Sequence, residues 1–314
     1  MEITKDYDVI IVGGGPAGLA AGLYCKRAVL NTVLFERGLI GGQIAISKDV
    51  ENYPGVEGIT GFDLAEKMVH HAKSFGLNII QQEVAEVIAG TDHHSLRLAN
   101  GEMLRSRALI LAAGGSVRKL GVPGEAEYAG SGVSYCATCD GFFFRDKTTV
   151  VVGGGDTAVE EALYLSRLAR KVYLVHRKKE LRASKLLQNR LSEAQIEVIR
   201  NTVITEISGD GHVVTAVALE NTGTNEKREL PTDGVFIFIG YLPNNQLIPT
   251  GIGMNEQGCV ITDDTCETSI PGIFAVGDLR QKFANQIVVA AADGCIAALA
   301  AARYIEMRKA EGTL

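Results

Sequence analysis

The chain has no run of basic residues, and its formal net charge is −6. Without a cationic block there is nothing to neutralise a phosphate backbone or an anionic bilayer, so neither nucleic acid nor membrane is expected as a partner. Met1 to Asp6 offer no basic segment followed by an apolar one, and no secretory signal is expected. An uninterrupted apolar stretch of membrane length is missing too. The best candidate, Ile287 to Ile305, is broken by Asp293 and Arg303 and reads as a buried C-terminal helix. Cysteine is scarce, with 6 in 314 residues. In the absence of a signal this points to a reducing cytoplasm, where a redox pair is catalytic rather than structural. What remains, 46% hydrophobic residues, 22% charged residues and 36 glycines, describes a soluble globular α/β protein with many tight turns. Its length suffices for two domains, each with a core.

Two of the cysteines stand together in Cys136-Ala137-Thr138-Cys139-Asp140, followed by Gly141-Phe142-Phe143-Phe144. Thiols at this spacing close a small disulfide and reopen it, and a carboxylate directly behind the second thiol is placed to move the accompanying proton. A zinc half-site would need a second pair at ligand spacing, which Cys25, Cys259, Cys266 and Cys295 do not supply. These four are expected to be buried small apolar residues. His70, His71, His93 and His94 fall in adjacent pairs whose members face different ways on any regular element. They are expected at the surface, not on a metal.

A dinucleotide-binding fingerprint flanks the dithiol on each side. Tyr7 to Val12 is an apolar, β-branched run that ends in Gly13-Gly14-Gly15-Pro16-Ala17-Gly18 and passes into a helical pattern over Leu19 to Ala28. The first glycine makes the turn, the second lets a pyrophosphate approach the backbone, and the third lets helix and strand pack closely. A second strand, Thr32 to Phe35, ends on Glu36, where an acid takes a ribose hydroxyl. The pattern recurs 140 residues later: strand Thr148 to Val152, turn Gly153 to Ala158, helix Val159 to Leu168 and strand Val172 to Val175. Gly13 aligns with Gly153, Gly15 with Gly155, Gly18 with Ala158 and Glu36 with His176. Cations follow, Arg177, Lys178 and Lys179, with Arg182 close behind. Cations in place of an acid suit a ribose 2′-phosphate, so the second nucleotide is expected to be NADP rather than NAD. Nicotinamide hydride does not pass usefully to a disulfide directly, so the first nucleotide is expected to be a flavin.

Elsewhere the pattern predicts a helix over Phe62 to Phe75, strands near Val84 to Ile88, Ser95 to Leu98, Met103 to Arg105 and Ala108 to Ala112, and alternating strands from Ile196 to Ile239. Tyr241 to Asn245 reads as a linker, and Ile273 to Val276 as a last strand before Gly277-Asp278.

With Gly13 to Gly18, Gly42-Gln43, Glu51 to Gly55, Cys136 to Phe143, Gly153 to Glu161, His176-Arg177 with Arg182, and Gly277-Asp278 with Gln286 in this order, the chain resembles the low-molecular-weight, bacterial-type thioredoxin reductases over its full length. The resemblance implies an α/β fold of two Rossmann-like dinucleotide-binding domains, an NADPH domain over 119–242 inserted into an FAD domain made of 1–118 and 243–314. It implies a homodimer that reduces thioredoxin or a thioredoxin-like protein. Gly13, Gly15, Gly18, Glu36, Gly42, Gln43, Asn52, Asp278 and Gln286 would hold FAD. Gly153, Gly155, Ala158, Arg177, Lys178 and Arg182 would hold NADPH. Cys139 would take electrons from the flavin, Cys136 would attack the partner's disulfide, Asp140 would serve as acid and base, and Phe142 and Phe143 would help dock thioredoxin.

The chain departs from the family's pattern in four places. Lys178 stands for a second arginine, Asn285 for an arginine before Gln286, Ala113 for a threonine before Gly114, and Ser131 for a basic residue facing thioredoxin. Lysine keeps the charge but loses the planar fork, which weakens discrimination for NADPH. Other readings of the same scaffold are a different donor (ferredoxin, a deazaflavin or NADH), a different disulfide acceptor, or a flavin redox sensor without turnover.

Overall fold

The computed structural model describes residues 3–47 and 50–312. It divides into two compact units, one formed by Met1–Ser116 with Leu242–Leu314, the other by Val117–Tyr241.

In the first unit the strand Ile3–Val12 lies centrally in a seven-stranded sheet, parallel to Thr32–Glu36 on one side and to Met103–Leu111 on the other. Such a strand is covered on both faces, which is why Val9 to Val12 are all apolar and buried. Met103–Leu111 is one strand where two are expected from sequence, because its partner changes midway. Residues 103 to 106 pair antiparallel with His94–Leu98, while Leu109 to Leu111 pair parallel with Ile273–Ala275. The N-terminal half therefore alternates in polarity and the C-terminal half does not. Two helices, Pro16–Arg27 and Ile287–Ala310, pack on one face over a core that includes Leu19, Ala21, Ala297 and Ala301. The predicted helix near Phe62 spans Gly61–Ser74 and is capped by the Thr60 hydroxyl, which accepts the Asp63 N–H.

The C-terminal helix is apolar and long enough to cross a bilayer by length and composition. Only one side of it is buried, however; Val288, Ile296, Leu299 and Met307 are exposed. Asp293, which interrupts the apolar run in sequence, is 4% exposed and bonded inside this unit.

The second unit has a five-stranded parallel sheet in the order 196–199, 171–175, 148–153, 234–238, 133–134, with the helices Asp156–Leu165 and Lys185–Glu193. An antiparallel three-stranded sheet, Thr202–Gly209, Val214–Asn221 and Lys227–Pro231, follows. The stretch expected as a linker begins with a short strand, Tyr241–Pro243.

The paired histidines separate. His70 and His71 are exposed and His93 partly so, but His94 is buried at 1% exposure, contrary to the surface position expected from the pairing. The reason is its place on an alternating strand, where it faces inward with Leu96 and Leu98. Its Nδ1 accepts the Gly90 N–H at 3.3 Å, and its other nitrogen bonds the Pro271 carbonyl. Burial holds its pKa down at about 4 against an ordinary 6.5. Between these values the unfolded chain binds a proton that the folded chain refuses. Stability is therefore full above pH 6.5 and falls as the pH drops toward 4, by on the order of 3 kcal/mol from this residue. Chemical denaturation at pH 7 and pH 4.5 should show that loss, and His94→Gln should remove most of it; an equal loss in the variant would exclude His94 as its source.

Candidate active site

Cys136 and Cys139 are joined by a disulfide with Cα atoms 5.3 Å apart. Cys136 is the N-cap of a single helical turn, Ala137–Asp140, and caps it with no side-chain bond. The turn is stabilised from outside. Ser134, buried at the end of a short strand, accepts the Cys136 N–H at 3.1 Å and donates its hydroxyl to Asp140 Oδ2 at 2.6 Å. Glu161, on the helix Asp156–Leu165, accepts the N–H groups of Ala137 and Thr138, and burial pushes its carboxyl pKa up against those bonds. Neither Ser134 nor the role of Glu161 has a signal in the sequence, since nothing in a residue's spacing from the cysteines tells that it bonds their backbone.

The following turn, Gly141–Phe144, divides its phenylalanines. Phe144 is buried edge-on against Phe236, with ring centroids 5.0 Å apart, whereas Phe142 and Phe143 are 58% and 40% exposed. The Arg145 guanidinium lies 5.9 Å from the Phe142 ring centre. The other thiols differ among themselves. Cys25 and Cys266 are buried, which pushes their pKa values up to about 12 and about 11 and makes them unreactive. Cys259 and Cys295 are partly exposed, so full burial of all four does not hold.

Both glycine turns have the shape that a pyrophosphate needs. A Cβ on Gly18 would come within 1.9 Å of the Gly13 carbonyl oxygen, so the helix Pro16–Arg27 meets its strand backbone to backbone. Before Gly15 a Cβ would meet nothing within 4 Å, and the helix N-terminus carries no side-chain cap. Open space in front of uncapped N–H groups is an anion cradle. In the second turn Gly153 and Ala158 fit against each other, and Gly155 again faces open space at an uncapped helix start.

The residues after each second strand diverge as their charges require. Glu36 Oε2 accepts the Gly14 N–H at 2.6 Å and Oε1 the Gly38 N–H at 2.7 Å, which fixes a carboxylate beside the first cradle. His176 takes that position in the second copy. It is buried against Gly154, it bonds the Glu180 carbonyl at 3.0 Å through Nε2, and burial lowers its pKa. A neutral ring leaves the site without an anion. Arg177, Lys178 and Arg182 are exposed and form no ion pair among the described residues.

The first unit gathers the remaining expected residues from distant parts of the chain. Gly42, in the left-handed region at φ +60°, sits against Gly15, with Gln43 exposed beside it. Asn52 Nδ2 donates to Gln286 Oε1 at 3.2 Å across 234 residues of sequence. Asp278 Oδ1 is buried 3.1 Å from the Lys282 ammonium, while the side chain as a whole is 31% exposed. Its neighbour Gly277 sits against Ala17 in the first turn of the helix Pro16–Arg27, and a partly exposed carboxylate there is an acceptor for a ligand that brings hydroxyl groups, as a flavin dinucleotide does.

A family described as pyridine nucleotide-disulphide oxidoreductase matches residues 7–294. Thioredoxin reductase of Bacillus subtilis is 48% identical over 307 residues, covering 98% of this chain and 97% of its own. Among solved structures, thioredoxin reductase from Streptococcus pyogenes superposes with a TM-score of 0.92 at 42% identity, covering 96% of this chain and 99% of its own. The enzyme from Giardia duodenalis gives 0.93 at 36% identity, with 96% and 100% covered. The chain belongs to the thioredoxin reductase family. Membership brings the use of a flavin and a pyridine nucleotide, for which two cradles are present, and a redox-active disulfide, for which Cys136 and Cys139 are joined.

Within this family member Ser134 is a residue that only the structure reveals. In Ser134→Ala the Asp140 carboxylate loses its 2.6 Å donor. The same change removes the acceptor of the Cys136 N–H. Ser134→Ala should therefore cost about 1–3 kcal/mol in chemical denaturation of the oxidised protein, and an unmoved midpoint would mean that Ser134 does not hold the turn.

Proposed function

We propose that this protein is a thioredoxin-disulfide reductase, passing electrons from NADPH through FAD and the Cys136–Cys139 dithiol to thioredoxin. The observation that carries the reading is the joined Cys136–Cys139 pair with Asp140 held beside it, in a chain that also holds two anion cradles. Bound FAD supplies the two-electron relay between a nicotinamide hydride and a disulfide.

Every other step belongs to the chain's own residues. Reduction of the Cys136–Cys139 bond takes two electrons and two protons, and Asp140 is the acid that delivers a proton to the sulfur leaving as thiolate. The Cys136 thiolate then attacks one sulfur of the partner's disulfide, giving a mixed disulfide and one partner thiol. Cys139 attacks Cys136 in turn, releases the second partner thiol and restores the internal bond. Phe142 and Phe143 support docking, because two adjacent exposed aromatic rings next to the dithiol give the partner an apolar foothold.

Around the first cradle, Gly13, Gly15 and Gly18 would receive the FAD pyrophosphate, Glu36 a ribose hydroxyl, and Asp278 another of its hydroxyl groups. Gly42, Gln43, Asn52 and Gln286 line the same site. Gly153, Gly155 and Ala158 form the cradle for NADPH, and Arg177, Lys178 and Arg182 take its 2′-phosphate. The absence of a carboxylate at His176 favours NADPH over NADH. In this reading 119–242 is the NADPH domain and 1–118 with 243–314 the FAD domain. The exposed apolar side of the C-terminal helix supports a homodimer, and the reducing chemistry supports a cytoplasmic setting.

Two variants test the circuit. Cys136→Ser should lose thioredoxin reduction by at least about a thousandfold while keeping its yellow flavin. A variant that still turns over would remove Cys136 from the attacking role. Arg177→Ala with Arg182→Ala should lower the NADPH-to-NADH ratio of kcat/KM by about a hundredfold. An unchanged ratio would place the 2′-phosphate elsewhere.

A further inference from the structure

Asp293 interrupts an apolar run in the sequence, and Lys282 lies outside every motif. In the fold they form a buried charge relay behind Asp278. Asp293, from the C-terminal helix, bonds Arg280 Nη1 through Oδ1 at 3.0 Å, and its Oδ2 accepts the Gly277 N–H at 3.1 Å. Lys282 Nζ lies 3.4 Å from that same Oδ2 and 3.1 Å from Asp278 Oδ1. The Lys282 and Asp293 side chains are only 5% and 6% exposed, whereas that of Asp278 is 31% exposed and turned outward.

Two cations and two anions balance, so none of the buried charges is left uncompensated. Arg280 is fully engaged, since its Nε also donates to Thr262 Oγ1 at 2.7 Å and its Nη2 to the Asp263 carbonyl at 3.3 Å. Among the described residues, Lys282 is the side chain that pairs with both Asp293 of the helix and Asp278. Its ammonium holds Oδ1 on the buried side of the carboxylate, which leaves the exposed part of that group turned outward.

The geometry points to Lys282 as a positioning residue for Asp278: anchored by Asp293, it aims the Asp278 carboxylate at the hydroxyl groups of the flavin dinucleotide and so sets how tightly the flavin is held. This rests on the reading of Asp278 as a flavin contact. In Lys282→Met the Asp278 carboxylate loses the cation that pairs with it and faces Asp293 across the gap, and it turns away from the site.

The test is to dilute the FAD-loaded protein and follow the fluorescence of released flavin. Lys282→Met should release FAD with an affinity lowered by about tenfold, and Lys282→Arg should recover most of the loss. If Lys282→Met fails to fold, Lys282→Met with Asp293→Asn, which strands less charge, should show the same weakening. FAD held as tightly as in the unaltered protein overturns the proposal, even if the melting temperature falls, since lowered stability alone is what a purely structural lysine would give. Asp278→Asn separates the two levels. If it also leaves FAD binding unchanged, the assignment of Asp278 fails; if it weakens binding while Lys282→Met does not, the assignment stands and the relay fails.

Discussion

The contact on which the first unit depends is the approach of the helix Pro16–Arg27 to the end of its strand, where no side chain fits between Gly18 and the Gly13 carbonyl. A Cβ at 1.9 Å would force the helix off the sheet. Because the helix starts this close, its free N–H groups open onto the space before Gly15, with Glu36 bonded to Gly14, Gly42 against Gly15, and Gly277 against Ala17. The second unit repeats the geometry with one change. Ala158 replaces the third glycine, and its methyl group fits because Gly153 gives up its own side chain.

Charge then differentiates two cradles of one shape. In the first copy Glu36 anchors itself on two backbone N–H groups and keeps an anion at the rim. In the second, the neutral His176 fills that volume, and three exposed cations follow it. Sequence alignment of the two copies shows the substitution. That His176 is buried and bonded to a carbonyl, rather than free to act as a fourth cation, is visible only in three dimensions.

Much of this was legible because the signals are local. Strand, glycine turn and helix follow one another within a few residues, and the cysteine pair is contiguous. The apolar pattern begins after the uncapped first turn, at Leu19 and Val159, whereas the helices begin at Pro16 and Asp156. What is not legible depends on contacts between distant residues. Met103–Leu111 reads as two strands because its partner strand changes along its length. The burial of His94 is hidden because pairing with His93 says nothing about which face of the strand is buried. Asp293 speaks in sequence against a membrane span and for a buried helix; what the sequence does not show is that Arg280 and Lys282 compensate the buried carboxylate. Ser134 and Glu161, which fix the redox turn, are one short strand and one helix away from it, and their bonds are not coded in any motif.

The central claim is that NADPH reduces a flavin that in turn reduces the Cys136–Cys139 bond. An anaerobic titration of the purified yellow protein with NADPH, and in parallel with NADH, tests it most directly through the visible flavin band. Bleaching by stoichiometric NADPH, much faster than by NADH, is the predicted result. A flavin that dithionite bleaches but neither nucleotide does would contradict it, and would transfer the donor's role to ferredoxin or a deazaflavin.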